Sequence, residues 1–274
     1  MRQLPHHPLR DMLYGDPGRA VPWICIALGV GAGLLTRSPG MGLATVVLGG
    51  QIWDRLSPRM VIEDPRLGAL TLNCPRHTSS GQRQVWLTFD DGPGPDTEAV
   101  LDILEQFGAS ATFFFIGEKV RAYQDISGLR ERLKAGGHKV GNHSWSHPNL
   151  LTLDSEPTKA EIQDAQQQLS EAFPEVLLPI FRPPYGYRTE SLFTHLQSAE
   201  LSLVGWSVNS LDFLSGTSKT VVKRVLQRTA PGSILLFHDG PKRRTRTLRS
   251  LPTILSSLKA QGYAFGVPSL EDVR

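Results

Sequence analysis

Several residue patterns that mark large classes of protein are scarce or missing in this chain. Cys25 and Cys74 are the only cysteines among 274 residues, too few for a disulfide framework or a cysteine-based metal site. The formal net charge of +3 is too small for a dedicated nucleic-acid-binding protein. No G-x-G-x-x-G motif follows a predicted strand, so dinucleotide binding has no support. With 40% hydrophobic and 20% charged residues, the composition is that of an ordinary globular protein.

Apolar runs of the usual membrane-spanning length are missing as well. Residues 20–35 and 41–53 carry no charge, but sixteen helical residues span only about 24 Å of a hydrocarbon core roughly 30 Å thick. Trp23 and Trp53 lie near the outer ends of this pair, where interfacial aromatic residues are expected. Three interpretations stay open: a signal anchor, a tight membrane hairpin, and an apolar hairpin packed on the folded domain. We expect membrane association.

The chain divides into four segments by composition. Residues 1–19 form a polar N-terminal tail, and residues 20–53 form the apolar segment, a membrane anchor or hairpin. Residues 54–83 are rich in proline, arginine and serine, and are predicted to be a linker with one short strand at 67–72. Residues 84–274 form the main folded domain.

Strand and helix patterns alternate throughout this domain. Short apolar runs predict strands, and apolar residues at helical spacing predict helices. About seven strand–helix repeats imply an α/β fold with a mostly parallel sheet, either a (β/α) barrel or an open doubly wound sheet. The predicted strands are 85–89, 111–116, 138–142, 177–181, 203–208, 234–237 and 263–267, and the helices are 97–107, 129–135, 158–173, 189–199, 219–229 and 247–261.

Polar residues cluster just after the predicted strands, where a (β/α) barrel builds its active site. Asp90 and Asp91 follow the first strand, and this pair alone also fits an exposed turn or a helix cap. His143 and His147 are four residues apart, which places both imidazoles on one side of a helical turn. One aspartate with two histidines from different strand ends is the ligand set of a catalytic metal site with open positions for water.

Four motifs in this domain carry a family resemblance. They are TFDDGP at residues 88–93, HSWSH at 143–147, RPPYG at 182–186 and LFH at 236–238. In order and spacing they resemble the motifs of the polysaccharide deacetylase family, which has the NodB homology domain and is carbohydrate esterase family four. The resemblance covers residues 84–268. It implies a distorted, partly open (β/α) barrel, preceded here by the apolar segment, and a divalent metal. Zinc is the expected metal, with cobalt, manganese and nickel as alternatives.

The resemblance implies a metal site and a set of catalytic residues. Asp91, His143 and His147 would be the metal ligands. Asp90 would be the general base, and His238 the general acid.

Three further residues would support this catalysis. Arg182 would orient the general base, and Asp212 would be the carboxylate partner of the general acid. Tyr185 would offer its backbone N–H to the oxyanion.

Four residues are expected to line the substrate cleft: Pro184, Tyr185, Phe213 and Leu236. The fourth motif of the family usually reads D-x-x-D-W, but here residues 209–213 read NSLDF. Asn209 therefore lacks a charge, and Phe213 offers a smaller wall than tryptophan. These departures affect the expected substrate preference and rate, but not metal binding.

The resemblance implies removal of N-acetyl groups from a peptidoglycan-like or chitin-like glycan by attack of a metal-bound water. One alternative keeps the site but hydrolyses O-acetyl esters or other non-peptide C–N bonds. Another is an inactive, membrane-anchored glycan-binding protein. The expected partner is an acetylated glycan and not nucleic acid. The catalytic domain is expected to be monomeric and to face the cell wall or periplasm.

Overall fold

The computed structural model describes residues 71–214, 216–240 and 245–273. The predicted tail, the apolar segment and most of the predicted linker lie outside these residues. Among the described helices, none has the length and apolar character needed to cross a membrane.

One parallel sheet forms the centre of the described structure. Its strands are β1 (Thr71–Leu72), β2 (Arg83–Gly92), β3 (Thr112–Phe115), β4 (Lys139–Asn142), β5 (Leu177–Phe181), β6 (Ser202–Val204), β7 (Val208–Asn209), β8 (Ile234–His238) and β9 (Tyr263–Gly266). The helices are α1 (Thr97–Phe107), α2 (Gly117–Ala122), α3 (Ile126–Ala135), α4 (Ser155–Ala172), α5 (Glu190–Ser198), α6 (Ser218–Arg228) and α7 (Thr245–Ala260).

The strand order confirms the distorted, partly open barrel. Neighbouring strands run β1-β6-β5-β4-β3-β2-β8-β7, and β9 pairs with the first half of β2. From β2 to β6 the sheet order follows the chain order, as in a barrel, without the mid-sheet reversal of a doubly wound fold. β1 and β7 end the path without pairing with each other, so the described barrel is not closed.

The last part of the predicted linker is built into the barrel. β1 pairs with β6, with Thr71 opposite Leu203. Leu72 and Cys74 are buried in a cluster with Trp86 from β2. The strand predicted at 67–72 is therefore present at Thr71–Leu72, and the boundary at residue 84 falls inside β2.

Two local predictions differ from the structure. The sequence does not predict helix α2. Its six residues carry only one apolar side chain larger than that of alanine, Val120, and so show no amphipathic pattern. The single strand predicted at 203–208 is divided into β6 and β7, with residues 205–207 outside the sheet between them. β6 pairs with β1 and β5, whereas β7 pairs with β8.

Alternation along β2 determines which side chains reach the barrel interior. Phe89 points outward and stacks against Phe113 and Phe237 of the neighbouring strands, with ring centroids 5.2 and 5.6 Å apart. These rings pack in the main hydrophobic core under the helices. Because successive strand residues face opposite sides, Thr88 and Asp90 point into the barrel. The stacked core therefore fixes the end of β2 at which the acidic pair lies.

Candidate active site

The two adjacent carboxylates at the end of β2 lie in different environments. Asp90 is buried, and its Oδ1 accepts a hydrogen bond from Arg182 Nη1 at 2.7 Å. Asp91 has a left-handed backbone with φ 73°, which turns its side chain away from the strand alternation. The Lys119 ammonium donates to the Asp91 carbonyl oxygen at 2.7 Å and braces this conformation. One acid is thus tied to a guanidinium, and the other points toward the imidazoles.

Arg182 is fully buried and uses its guanidinium to connect three strands. Besides Asp90, it donates to the Thr88 hydroxyl at 2.7 Å, to the Val204 carbonyl at 3.1 Å and to the Gly205 carbonyl at 2.7 Å. Burial lowers the pKa of Arg182, and the charge of Asp90 opposes that shift. Because these contacts fix the planar guanidinium, it can hold the Asp90 carboxylate in one orientation. The predicted role of Arg182 requires such an orienting contact.

Asp91, His143 and His147 converge on one point. Asp91 Oδ1 lies 3.5 Å from His143 Nε2 and 3.2 Å from His147 Nε2. All three potential ligand atoms lie within 4.8 Å of one another. Burial alone would raise the pKa of Asp91, but hydrogen bonds from both histidines and the charge of His238 hold it well below its ordinary value.

The donor set fits a divalent metal such as zinc. The His143 Nδ1–H donates to the Arg182 carbonyl at 2.7 Å, which leaves Nε2 as the ring nitrogen that faces the site. Two imidazole nitrogens and one carboxylate oxygen are the protein ligands of catalytic zinc sites that keep a position open. These residues can therefore hold the metal that the sequence predicts.

The two histidines lie on a loop and not on a helical turn, so that local expectation was wrong. Ser144 and His147 have φ of 66° and 61°, values that a helix excludes. The Asn142 side chain accepts from the Ser144 N–H at 2.8 Å, and the Ser144 hydroxyl accepts from the His147 N–H at 3.0 Å. This folded loop brings the rings to a centroid distance of 5.0 Å.

The buried Asp212 and the partly buried His238 form an acid–imidazole pair. The His238 Nδ1–H donates to Asp212 Oδ1 at 2.7 Å. Burial lowers the pKa of His238, but Asp212, with smaller contributions from Asp91 and Asp90, raises it to about 9. Burial would raise the pKa of Asp212, yet the charge of His238 lowers it. At neutral pH the pair is an imidazolium facing a carboxylate, which is the form that a general acid requires.

The predicted substrate-lining residues surround these groups to different extents. Tyr185 has a left-handed backbone with φ 60°, and its ring lies 4.7 Å from the His147 ring, centroid to centroid. Phe213 is 39% exposed, and its ring meets the His238 ring edge to face at 5.2 Å. Leu236 and Pro184 are buried, so neither offers a broad contact surface.

Asn209, the departure from the family motif, has a local structural role. Its side-chain oxygen accepts from the Leu211 N–H at 2.9 Å, and its carbonyl accepts from Arg224 Nε at 2.7 Å. An amide is sufficient for the first bond, which holds the turn that leads to Asp212.

Four residues that support the site were not assigned a role from the sequence. Lys119 and Glu161 contact the metal-binding segments, and Thr247 donates to Asp212 Oδ2 at 2.6 Å. Asp239 is fully buried, and its Oδ2 accepts from the Thr97 hydroxyl at 2.5 Å. Burial, opposed by the Thr97 bond and assisted by the charge of Asp91, raises the pKa of Asp239 to about 7. Only the position of Asp239, next to His238, could have drawn attention to it.

Comparisons with known proteins identify the family. The family model for polysaccharide deacetylase matches residues 77–204. A chitooligosaccharide deacetylase from Azorhizobium caulinodans is 33% identical over 198 residues, which cover 68% of this chain and 93% of that protein. A peptidoglycan-N-acetylglucosamine deacetylase from Bacillus cereus is 35% identical over 189 residues, covering 68% of this chain and 86% of that protein.

A solved structure gives the same result for the fold. The family 4 carbohydrate esterase from Streptomyces lividans, in complex with acetate, superposes with a TM-score of 0.62 and 32% identity. The match covers 73% of this chain and 97% of that chain. The barrel and its acid–imidazole site are those of a hydrolase. The chain belongs to the polysaccharide deacetylase family.

Proposed function

We propose that this enzyme is a metal-dependent deacetylase that hydrolyses N-acetyl groups on a peptidoglycan-like or chitin-like glycan. The observation that carries the proposal is that Asp90 and Asp91, although adjacent, have different partners. Asp91 faces His143 and His147, whereas Asp90 is held by Arg182. The named relatives act on chitooligosaccharides and on peptidoglycan N-acetylglucosamine, which supports this substrate class.

The residues of this site can supply the proton transfers that amide hydrolysis requires. A divalent cation bound by Asp91, His143 and His147 would polarise the acetyl carbonyl and acidify the attacking water. Asp90 would remove the proton from that water, with Arg182 fixing the orientation of its carboxylate. The Tyr185 backbone N–H is assigned to the developing oxyanion.

His238 completes the reaction as the general acid. An amine leaves poorly unless it is protonated, so a proton must reach the nitrogen as the C–N bond breaks. Asp212 keeps His238 in the imidazolium form at neutral pH, because it raises the pKa of that imidazole to about 9. This feature favours amide hydrolysis over the O-acetyl esterase alternative, in which an alcohol is the leaving group and needs less assistance.

The glycan-binding alternative without catalysis is disfavoured by the completeness of the site. A binding protein has no use for a buried Asp90–Arg182 pair together with a charged Asp212–His238 pair, since buried charges are costly to maintain. Binding of an acetylated glycan without any release of acetate by the metal-loaded protein would support that alternative.

Acetate release tests the proposed function. Protein stripped of metal and resupplied with zinc or cobalt should release acetate from N-acetylglucosamine oligomers or peptidoglycan, and metal-free protein should not. Acetylated xylan is the matched O-acetyl substrate. Faster release from xylan than from either N-acetylated glycan would favour the esterase, and no release from any of them would refute the proposal.

Membrane association and outward orientation form a separate proposal, which rests on the sequence of residues 20–53. A monomeric catalytic domain on the outer side would have direct access to a cell-wall glycan. Protease treatment of intact cells and of lysates tests this orientation. Cleavage in lysates alone, with the protein recovered in the soluble fraction, would contradict both parts.

A further inference from the structure

The loop that carries His143 and His147 has a backbone that needs outside support. Two of its non-glycine residues, Ser144 and His147, have left-handed φ values, and such conformations persist only where neighbours hold them. The loop also has no regular secondary structure: it follows β4 directly, and residues 143–147 contain no helix. The spacing of the two imidazoles therefore depends on contacts from other elements.

Glu161 on α4 supplies three of those contacts through one carboxylate. Its Oε2 accepts the backbone N–H groups of Trp145 at 2.9 Å and Ser146 at 2.8 Å. Its Oε1 accepts the Ser146 hydroxyl at 2.7 Å. Hydrogen bonds to an ionised acceptor are shorter and stronger than neutral ones, so this carboxylate is a firm anchor for the middle of the loop.

The opposite side of the same loop is held by α2. The Gly117 N–H donates to the Ser144 carbonyl, and the Glu118 N–H donates to the Trp145 carbonyl, both at 3.0 Å. The loop is thus fixed between two helices: its carbonyl groups face the first turn of α2, and its N–H groups face Glu161. The α2 contacts come from the backbone, so a substitution cannot remove them directly, whereas Glu161 can be replaced.

We propose that Glu161 is a positioning residue for the metal centre, which holds the 143–147 loop so that both imidazoles point at Asp91. This inference rests on the proposed metal site and adds a residue that touches neither metal nor substrate. Glu161 acts through the loop backbone, so its loss should weaken metal binding more than it lowers the stability of the rest of the fold.

Three variants and one control test this role. Glu161→Ala removes all three contacts, and its zinc dissociation constant should rise by about 10- to 100-fold, the usual effect of losing an outer support of a metal ligand. Glu161→Gln should lose less, because its amide oxygen can still accept both N–H groups and its amide nitrogen can donate to the Ser146 hydroxyl. Ser146→Ala removes a single contact and should have the smallest effect. Asp164→Ala removes an exposed carboxylate from the same helix and should bind zinc as the unmodified protein does.

Zinc affinity is measured by competition with a chromophoric chelator, and the melting temperature of each metal-free variant shows that it is folded. An unchanged zinc affinity in folded Glu161→Ala would overturn the proposal. If that variant does not fold, the same result in Glu161→Gln and Ser146→Ala together would overturn it. Zinc binding without acetate release by the unmodified protein would refute the proposed function alone, since the comparison of affinities would still test Glu161.

Discussion

Asp212 holds His238 at two points, accepting the Nδ1–H of its imidazole at 2.7 Å and its backbone N–H at 2.9 Å. The first contact controls the charge of the ring, and the second fixes the end of β8 from which the ring extends. Because the pKa of His238 is raised from 6.5, the stabilisation from this contact is complete below about pH 6.5 and is lost as the pH rises through about 9.

Asp212→Asn should therefore lower the pH at which activity declines on the alkaline side. Without the carboxylate, the pKa of His238 falls from about 9 toward or below 6.5. At pH 8 roughly 3% of the imidazole or less would then carry a proton, so kcat/KM should fall by about 30-fold or more. The pH profile of kcat/KM between pH 6 and 10 checks this. An unchanged alkaline limb would show that His238 is not the general acid.

Asp90→Asn should separate metal binding from catalysis. The amide can still accept from Arg182 but cannot take a proton, so kcat should fall by about 10²- to 10⁴-fold. Zinc affinity should change little, because the sequence and the geometry assign the metal to Asp91 and the two histidines. Turnover is measured as acetate release and zinc affinity by chelator competition. Normal turnover would remove Asp90 from the role of general base.

Asp239→Asn should flatten the pH dependence of stability in the metal-free protein. The pKa of this buried acid rises from 3.8 to about 7 on folding, so the folded state loses stability as the pH rises through that window. Between pH 5 and 8 the unmodified protein should lose about 1–3 kcal/mol more of its free energy of unfolding than the variant does. Urea unfolding at several pH values measures the difference. Parallel curves for the two proteins would contradict this prediction.

Phe213→Ala should weaken substrate binding more than it slows the reaction. The ring is 39% exposed and lies edge to face against His238, where a sugar can stack on it. Losing such an aromatic contact costs about 1 kcal/mol, so KM should rise by about 5- to 10-fold with kcat changed less than about threefold. Phe213→Trp restores the residue usual in the family and should lower KM. A large fall in kcat at constant KM would instead indicate a role in orienting His238.

The repeat pattern predicted the alternating strands and helices of a mostly parallel sheet, because each apolar run or helical stripe reports its own burial. The family motifs then favoured the barrel over a doubly wound sheet. The same rule explains the differences: α2 is too short to show a stripe, and residues 205–207 interrupt the strand predicted at 203–208. The principal site residues lie at the ends of strands or directly after them, where a barrel builds its active site.

The supports of the site could not be predicted in the same way. Glu161 lies 15 and 16 residues along the chain from the backbone groups it contacts, and Thr247 lies 35 residues from Asp212, so no local motif links either residue to the site. Only the folded structure shows that their side chains turn toward the site. The left-handed backbone at Asp91 was equally hidden, since Lys119, 28 residues away along the chain, braces it.

The position of β2 in the sheet has a consequence for the order in which the site can form during protein synthesis. This strand carries Asp90 and Asp91 near its end, and it pairs with β3 over its second half, with β8 through residues 86–90 and with β9 over its first half. The metal ligands are all synthesised before residue 150, but two of the three strands that pair with the strand carrying the acidic pair come only with residues 234–266. A growing chain therefore has its metal ligands long before it has the complete sheet around them. Every strand that pairs with β2 is present only when β9 has left the ribosome.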